Sequence, residues 1–423
     1  MKAYLIYLKT FNPGLRNMLC AQALVGIGTG MFAVLLNLYL KDRGFTEDTI
    51  GQLLAVQSIA AAIASVPLGW LADRTSRRTA YLIGIILCAT GYAWLTIVDR
   101  LLWMVGGVLV SGAGNGALLV AVQPFLQENS RRKQRPYLFS MNFCVTWLMG
   151  IVAGLLAGWI PRVLEELGMT ASSSIEALRQ TLRLAAGFMC FAFIPALLLP
   201  TDRPRTDSCP QNLNSPSAAD NYSPHIVIAM FVVTSSLIGA GAGLIVPYFN
   251  LYFRDWVGAS VAQIGTIFAI GQFATVIGAV SSPAITRRIG LVWGIVGTQL
   301  CSLPFMLLMA WRHDLLCCAG GFFFRMAFMN LGIPMREQML MARLPQAWRA
   351  RAAALDSTAW YLAWASSMLF SGNLLRQWGY DKSLYITFGL YLLSAALYYR
   401  FFRDQPAVSA AERKSPRPLI KPL

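Results

Sequence analysis

Charge is scarce in this chain. Asp, Glu, Lys and Arg make up 13% of its 423 residues and hydrophobic residues 56%, against about 25% charge in a soluble domain. That excludes an ordinary soluble globule and calls for a bilayer as solvent. Histidine is scarcer still: the two, His225 and His313, stand at opposite ends of the second half's sequence pattern, which excludes a metal site or a histidine relay. The eight cysteines (20, 88, 144, 190, 209, 301, 317 and 318) lack zinc-ligand spacing and read as reduced, space-filling thiols. Acids number 19 against 35 basic residues, and none falls in the central third of an apolar run. Their absence removes a carboxylate pair for acid–base chemistry, and the anion with which a cavity would compensate an organic cation. No glycine loop follows a strand, so no dinucleotide fingerprint exists. No metal and no cofactor are expected, and a polytopic membrane enzyme or sensor is the weaker class.

Long apolar runs are what the sequence has instead. Runs of about 20 residues, enough to cross about 30 Å of hydrocarbon, fall near 17–40, 49–72, 79–98, 101–127, 137–160 and 181–200. The count repeats near 224–252, 261–286, 291–311, 315–341, 349–375 and 382–402. Backbone in lipid must satisfy its own hydrogen bonds, and barrel strands would be half as long and alternating, so the runs predict helices. The expected fold is an all-α integral membrane protein of twelve transmembrane helices in two six-helix halves, 1–200 and 224–403. A Pro, Ser and Asn-rich linker (201–223) joins the halves, and a basic, Pro-rich tail (404–423) reads as disordered. A capping box from Ser173 to Glu176 predicts that the sixth helix begins before its apolar run.

The net charge of +16 is distributed by topology. A cytoplasmic amino terminus places 23 of the 35 basic residues inside, so the bias sets both termini in the cytoplasm of the inner or plasma membrane. The positive charge then addresses anionic lipid head groups and not nucleic acid. No cleaved leader is expected, since residues 1–15 lead directly into a retained first helix. A monomer is expected.

One segment is written twice. Leu24, Gly26, Gly28, Gly30, Asn37, Leu38, Tyr39 and Asp42 recur 213 residues later as Leu237, Gly239, Gly241, Gly243, Asn250, Leu251, Tyr252 and Asp255. A half-chain repeat in apolar sequence is the construction of secondary transporters, whose site lies between the repeats. On a helix, Gln22, Gly26, Gly30, Ala33 and Asn37 form one small and polar stripe, copied by Ser235, Gly239, Gly243, Val246 and Asn250. The glycines suit close helix packing. Asn37 and Asn250 fit either a wet cavity wall or structural hydrogen bonding.

After the second run comes Gly69-Trp70-Leu71-Ala72-Asp73-Arg74-Thr75-Ser76-Arg77-Arg78. It resembles the loop 2–3 signature of the major facilitator superfamily, with Ser76 in place of a glycine. The second half holds a degraded copy from Pro283 to Gly290, with Arg287 where Asp73 stands. The resemblance covers residues 10–403 and implies a secondary transporter working by alternating access. It further implies a cytoplasmic gate, in which Asp73 meets the positive amino-terminal end of helix 11 while Arg77 pairs with Asp73 and with Glu128. Gly69, Arg74 and Arg78 complete that set.

Intramembrane charge marks a site by default. Arg325 stands mid-span in the tenth run, followed by Asn330 and Pro334. A lone cavity cation selects a carboxylate or phosphate on the solute; the alternative is a scaffold role bonding carbonyls or helix 4 amides. Gln52, Gln57, Asn115, Gln123, Asn142 and Gln272 are further cavity candidates, and Trp147, Trp360, Tyr361 and Trp364 could stack on a ring or an acyl chain. For proton coupling the nearest acids are Asp42, Glu337 and Asp356, each near a helix end, where ordinary ion pairing competes. The expected substrate is a small organic solute, with lipid or glycolipid translocation the alternative on the same fold.

Overall fold

The computed structural model describes residues 11–130, 134–169, 174–201 and 223–403. Both chain ends, the tail 404–423, all but the ends of the linker 201–223 and the capping residue Ser173 lie outside these. Among the described residues there is no strand. Eleven long helices carry the fold: α1 (Pro13–Asp42), α2 (Glu47–Arg74), α3 (Arg77–Leu95), α4 (Leu101–Glu128), α5 (Arg135–Glu166), α6 (Ser174–Leu197), α7 (Pro224–Ile245), α8 (Val261–Ile289), α9 (Leu291–Trp311), α10 (Leu315–Arg343) and α11 (Gln346–Phe402).

Their ends follow local chemistry. Asn12 accepts from the Gly14 amide at 3.2 Å, with Pro13 opening α1. Ser260 and Gln263 form a reciprocal capping box on α8 (3.3 and 2.8 Å). Asp314 accepts from the Cys317 amide at 3.0 Å to start α10, a bond that holds its carboxyl below the usual range.

Among the described residues ten helices, counting α7 through Trp256, are long and apolar enough to span a bilayer. The expected eleventh and twelfth spans are two helical limbs of α11 that meet directly at Gly379, whose φ of 84° and ψ of 172° only glycine adopts without strain. The chain turns there without a loop, which leaves limbs 346–378 and 380–402. A second departure is the end of α7. Pro247 removes an amide donor, and the helix continues as a tight turn (Val246–Tyr248), then Phe249–Leu251, then a wide π-type turn (Tyr252–Trp256). The matching part of α1 stays regular to Asp42.

The halves are built alike. In the first, α1 packs on α5 and α6; in the second, α7 packs on both limbs of α11. The glycine stripes serve these contacts: a Cβ on Gly30 would lie 2.6 Å from that of Ala153 on α5, and one on Gly243 would lie 2.5 Å from the Trp364 carbonyl on α11. Between the halves, α1 meets α7, α2 meets α11 and α5 meets α8. We call the side where α1 and α7 begin the terminal face and the side where they end the distal face. Toward the distal face, α5 and α8 touch backbone to backbone around Gly154, Gly158 and Gly265, and Asp48 of α2 lies 3.6 Å from Arg376 of α11.

A side chain at Gly265 would meet Gly158 Cα at 2.5 Å. Gly265→Leu is therefore expected to cost about 1–3 kcal/mol by overpacking and to lower the melting temperature of the detergent-purified protein. Gly106→Ala, whose Cβ meets nothing within 4 Å, should not lower it. Equal melting temperatures for the two variants would show that the seam yields freely.

Candidate functional site

The distal closure is built from the repeated asparagines. Asn37 Nδ2 donates to the Pro247 carbonyl at 2.6 Å and to Asn250 Oδ1 at 3.2 Å. Asn250 Nδ2 donates to the Val34 carbonyl at 2.8 Å. Val34 and Pro247 are themselves one repeat apart, so each amide grips the other half's copy of the same carbonyl. Both side chains are buried, at 3% and 1% exposed, where unpaired amides would be costly. One turn on, Arg254 Nη1 donates to the Leu38 carbonyl (3.3 Å) and to Asp42 (2.5 Å), while its Nε meets Asp255 at 3.2 Å. Asp42 is thus an ion-pair partner across the halves.

On the terminal side of this clasp lies a cavity of about 730 Å³ lined by α7, α9, α10 and α11. Arg325 lines it, 3% exposed. Its Nη2 donates to the Tyr391 hydroxyl at 3.2 Å, Nη1 to Met326 Sδ at 3.6 Å, and the guanidinium lies over the Phe249 ring at 4.9 Å. Its Nε is buried without a hydrogen-bond partner, and no salt bridge to an acid is formed, among the described residues. The phenol, sulfur and ring around it are neutral groups, not the helix 4 amides or carbonyls of the scaffold alternative.

Arg336 and Asp356 form an ion pair on the cavity wall. Ser235 hydrogen-bonds to both, so α7, α10 and α11 are tied together by one knot. Glu337, the next residue, is exposed, lines the cavity and forms no ion pair or hydrogen bond among the described residues. Of the three acids considered for proton coupling, two are therefore committed to arginines. Sequence reasoning missed Gln299 on α9, which is 5% exposed and lines the cavity with a buried Oε1 lacking a partner. A buried amide in an apolar span was the signal that could have found it.

Of the remaining candidates, Asn330, Trp360, Tyr361 and Trp364 line this cavity. Asn330 donates to Thr275 Oγ1 (2.8 Å) and to the Met326 carbonyl (2.9 Å), and Trp360 stacks on Trp364 with centroids 5.0 Å apart. Gln57 and Asn115 are drawn into one network inside the first half: Gln57 donates to Ser111 (2.9 Å) and both reach the Tyr92 hydroxyl, at 3.4 and 3.2 Å. Gln272 faces Gly150 of α5 with a buried, unpartnered Oε1.

At the terminal face, Arg77 bridges Asp73 (2.5 Å) and Glu128 (3.3 Å), linking α2, α3 and α4. Asp73 is exposed, and among the described residues no hydrogen bond or ion pair joins it to the start of α11. Arg78 instead donates to the Leu197 carbonyl (2.7 Å) and to Thr201 (2.9 Å), closing off the end of α6. Arg74 lies 3.8 Å over the Trp70 ring, and Gly69 abuts Val120.

The family model of the Major Facilitator Superfamily matches residues 18–290 and, a second time, 231–422. The chain belongs to that superfamily. A bacterial homologue of the human lysosomal transporter Spinster, crystallised inward-facing and occupied, superposes with a TM-score of 0.74 at 13% identity, over 92% of this chain and 96% of that one. The nucleoside transporter NupG gives 0.72 at 15% identity, over 95% and 99%. These likenesses establish the fold. In sequence, the minor myo-inositol transporter IolF of Bacillus subtilis (strain 168) is 23% identical over 277 residues, 63% of this chain and 60% of its own length. The first curated relatives are matched over 24% to 60% of their lengths.

The asparagine clasp of this superfamily member generates a double-mutant test. Asn37→Ala and Asn250→Ala should each cost about 1–3 kcal/mol, because each removes the bond they share and the donor to one carbonyl of the other half, and the double variant should cost less than their sum. Denaturant or thermal unfolding in detergent measures it; strict additivity would mean that the two amides do not act on each other.

Proposed function

We propose that the chain is a secondary transporter, not an enzyme, and that it carries a small organic solute with an anionic group by exposing a central site to one face and then the other. Its terminal face is cytoplasmic on this reading, in keeping with the bias of basic residues. The observation that carries the substrate class is Arg325: a buried cation, faced by neutral groups, on the wall of a cavity. Desolvating a guanidinium is costly unless an anion shares the site, and a bound carboxylate or phosphate supplies it. Alternating access is supported by the seams closed at the distal face, while among the described residues no hydrogen bond or ion pair joins Asp73 to α11. On this reading the site faces the cytoplasm here, and the gate forms when α11 swings onto Asp73. A lipid or glycolipid is the second reading, favoured by Met326, Met329, Met341, Trp360 and Trp364 on the cavity wall.

Two experiments test this. A thermal-shift screen of the purified protein against anionic, neutral and cationic solutes and lipids should yield anionic hits that raise the melting temperature, and Arg325→Ala should lose the shift. Hits that stabilise both proteins equally make Arg325 scaffold. Asp73→Asn should slow uptake into proteoliposomes several-fold at unchanged melting temperature; an unchanged rate removes the gate assignment.

A further inference from the structure

The charged side chains on the cavity wall are two of each sign: Arg325, Arg336, Glu337 and Asp356. Arg336 and Asp356 neutralise each other. What remains is one unpaired cation, Arg325, and one unpaired carboxylate, Glu337, on the same helix and lining the same cavity. They are twelve residues apart, a rise of about 18 Å along α10. Between them runs a slot walled by Met326, Met329, Trp360 and Trp364, without another free charge among the described residues. Gln299 on α9 adds a buried acceptor oxygen with no partner, which asks for an N–H.

Resting on Arg325 as the anion site, we propose that the solute is an elongated zwitterion of short-peptide type: a carboxylate at one end held by Arg325, an ammonium at the other held by Glu337, and amide N–H groups between. A compact zwitterion cannot satisfy both ends. Allowing for the reach of two flexible side chains against a rise of about 18 Å, the charges of the solute stand about 10–15 Å apart, and an extended chain of four residues at about 3.3–3.6 Å each matches that span. A molecule with both charges uses both groups, whereas a simple anion gains nothing from Glu337 and a simple cation leaves the buried Arg325 without a counter-ion.

Three forms of one molecule separate the ends. Tetraalanine, N-acetyl-tetraalanine and tetraalanine amide differ only in which terminal charge is present, and each is titrated against the full-length purified protein with thermal shift as the readout. The free peptide should bind at least ten-fold more tightly than either capped form. Glu337→Gln should bring the free and acetylated peptides to equal affinity, and its melting temperature without ligand should stay unchanged because Glu337 is exposed. Arg325→Ala should lose the response to both. If the acetylated peptide binds the unaltered protein as well as the free one, or if Glu337→Gln keeps the ten-fold preference, the zwitterion proposal is overturned while the anion site stands. A full response in Arg325→Ala overturns the anion site itself. Silence of the unaltered protein toward all three forms overturns the peptide class.

Discussion

Two carboxamides inside a membrane have no water to bond, and that constraint organises this molecule. Asn37 and Asn250 satisfy each other and the carbonyls of Pro247 and Val34, and in doing so draw α1 and α7 together. The close approach of α5 to α8 at Gly265 and of α2 to α11 beside Asp48 lies on the same side of the bundle. With these three seams closed, the cavity lies on the terminal side of the clasp.

The two halves divide the work of handling charge. In the first half Gln57, Asn115, Tyr92 and Ser111 are turned on one another, while Asn142 on α5 keeps a buried Oδ1 without a partner among the described residues. In the second half, Arg336 is tied to Asp356 and Ser235, but Arg325, Gln299 and Glu337 keep unused bonding capacity. Arg325 and Gln299 are buried, and a buried group without a full set of partners is expensive to keep. Its persistence on a cavity wall points to a partner that comes and goes.

The spans were legible in the sequence because lipid demands long apolar runs, and the observed helices fall on them within a few residues at most ends. Exceptions have local causes. Gly379 joins the last two helical limbs without a loop, since a single residue of positive φ redirects the chain. Pro247 disturbs α7 where the repeat predicts regularity. Arg325 was conspicuous because charge is rare in a span. The roles of Gln57 and Asn115 were not, because an amide reads the same whether it faces a cavity or another helix; tertiary placement alone decides. Arg78 shows the same limit, lying within the gate signature yet bonding the end of α6.

Identical residues that meet each other, each bonding the other's copy of one carbonyl, are what a two-fold symmetric homodimer places on its axis. The Asn37–Asn250 clasp is such an isologous interface held within a single chain. Symmetry in a true dimer would force every substitution to appear twice. Here the two copies vary independently, and one turn away they already have: Lys41 turns to Glu47 in its own half, while its counterpart Arg254 crosses to Asp42. Covalent fusion of the two halves has therefore freed the periphery to differ while the axis stayed the same.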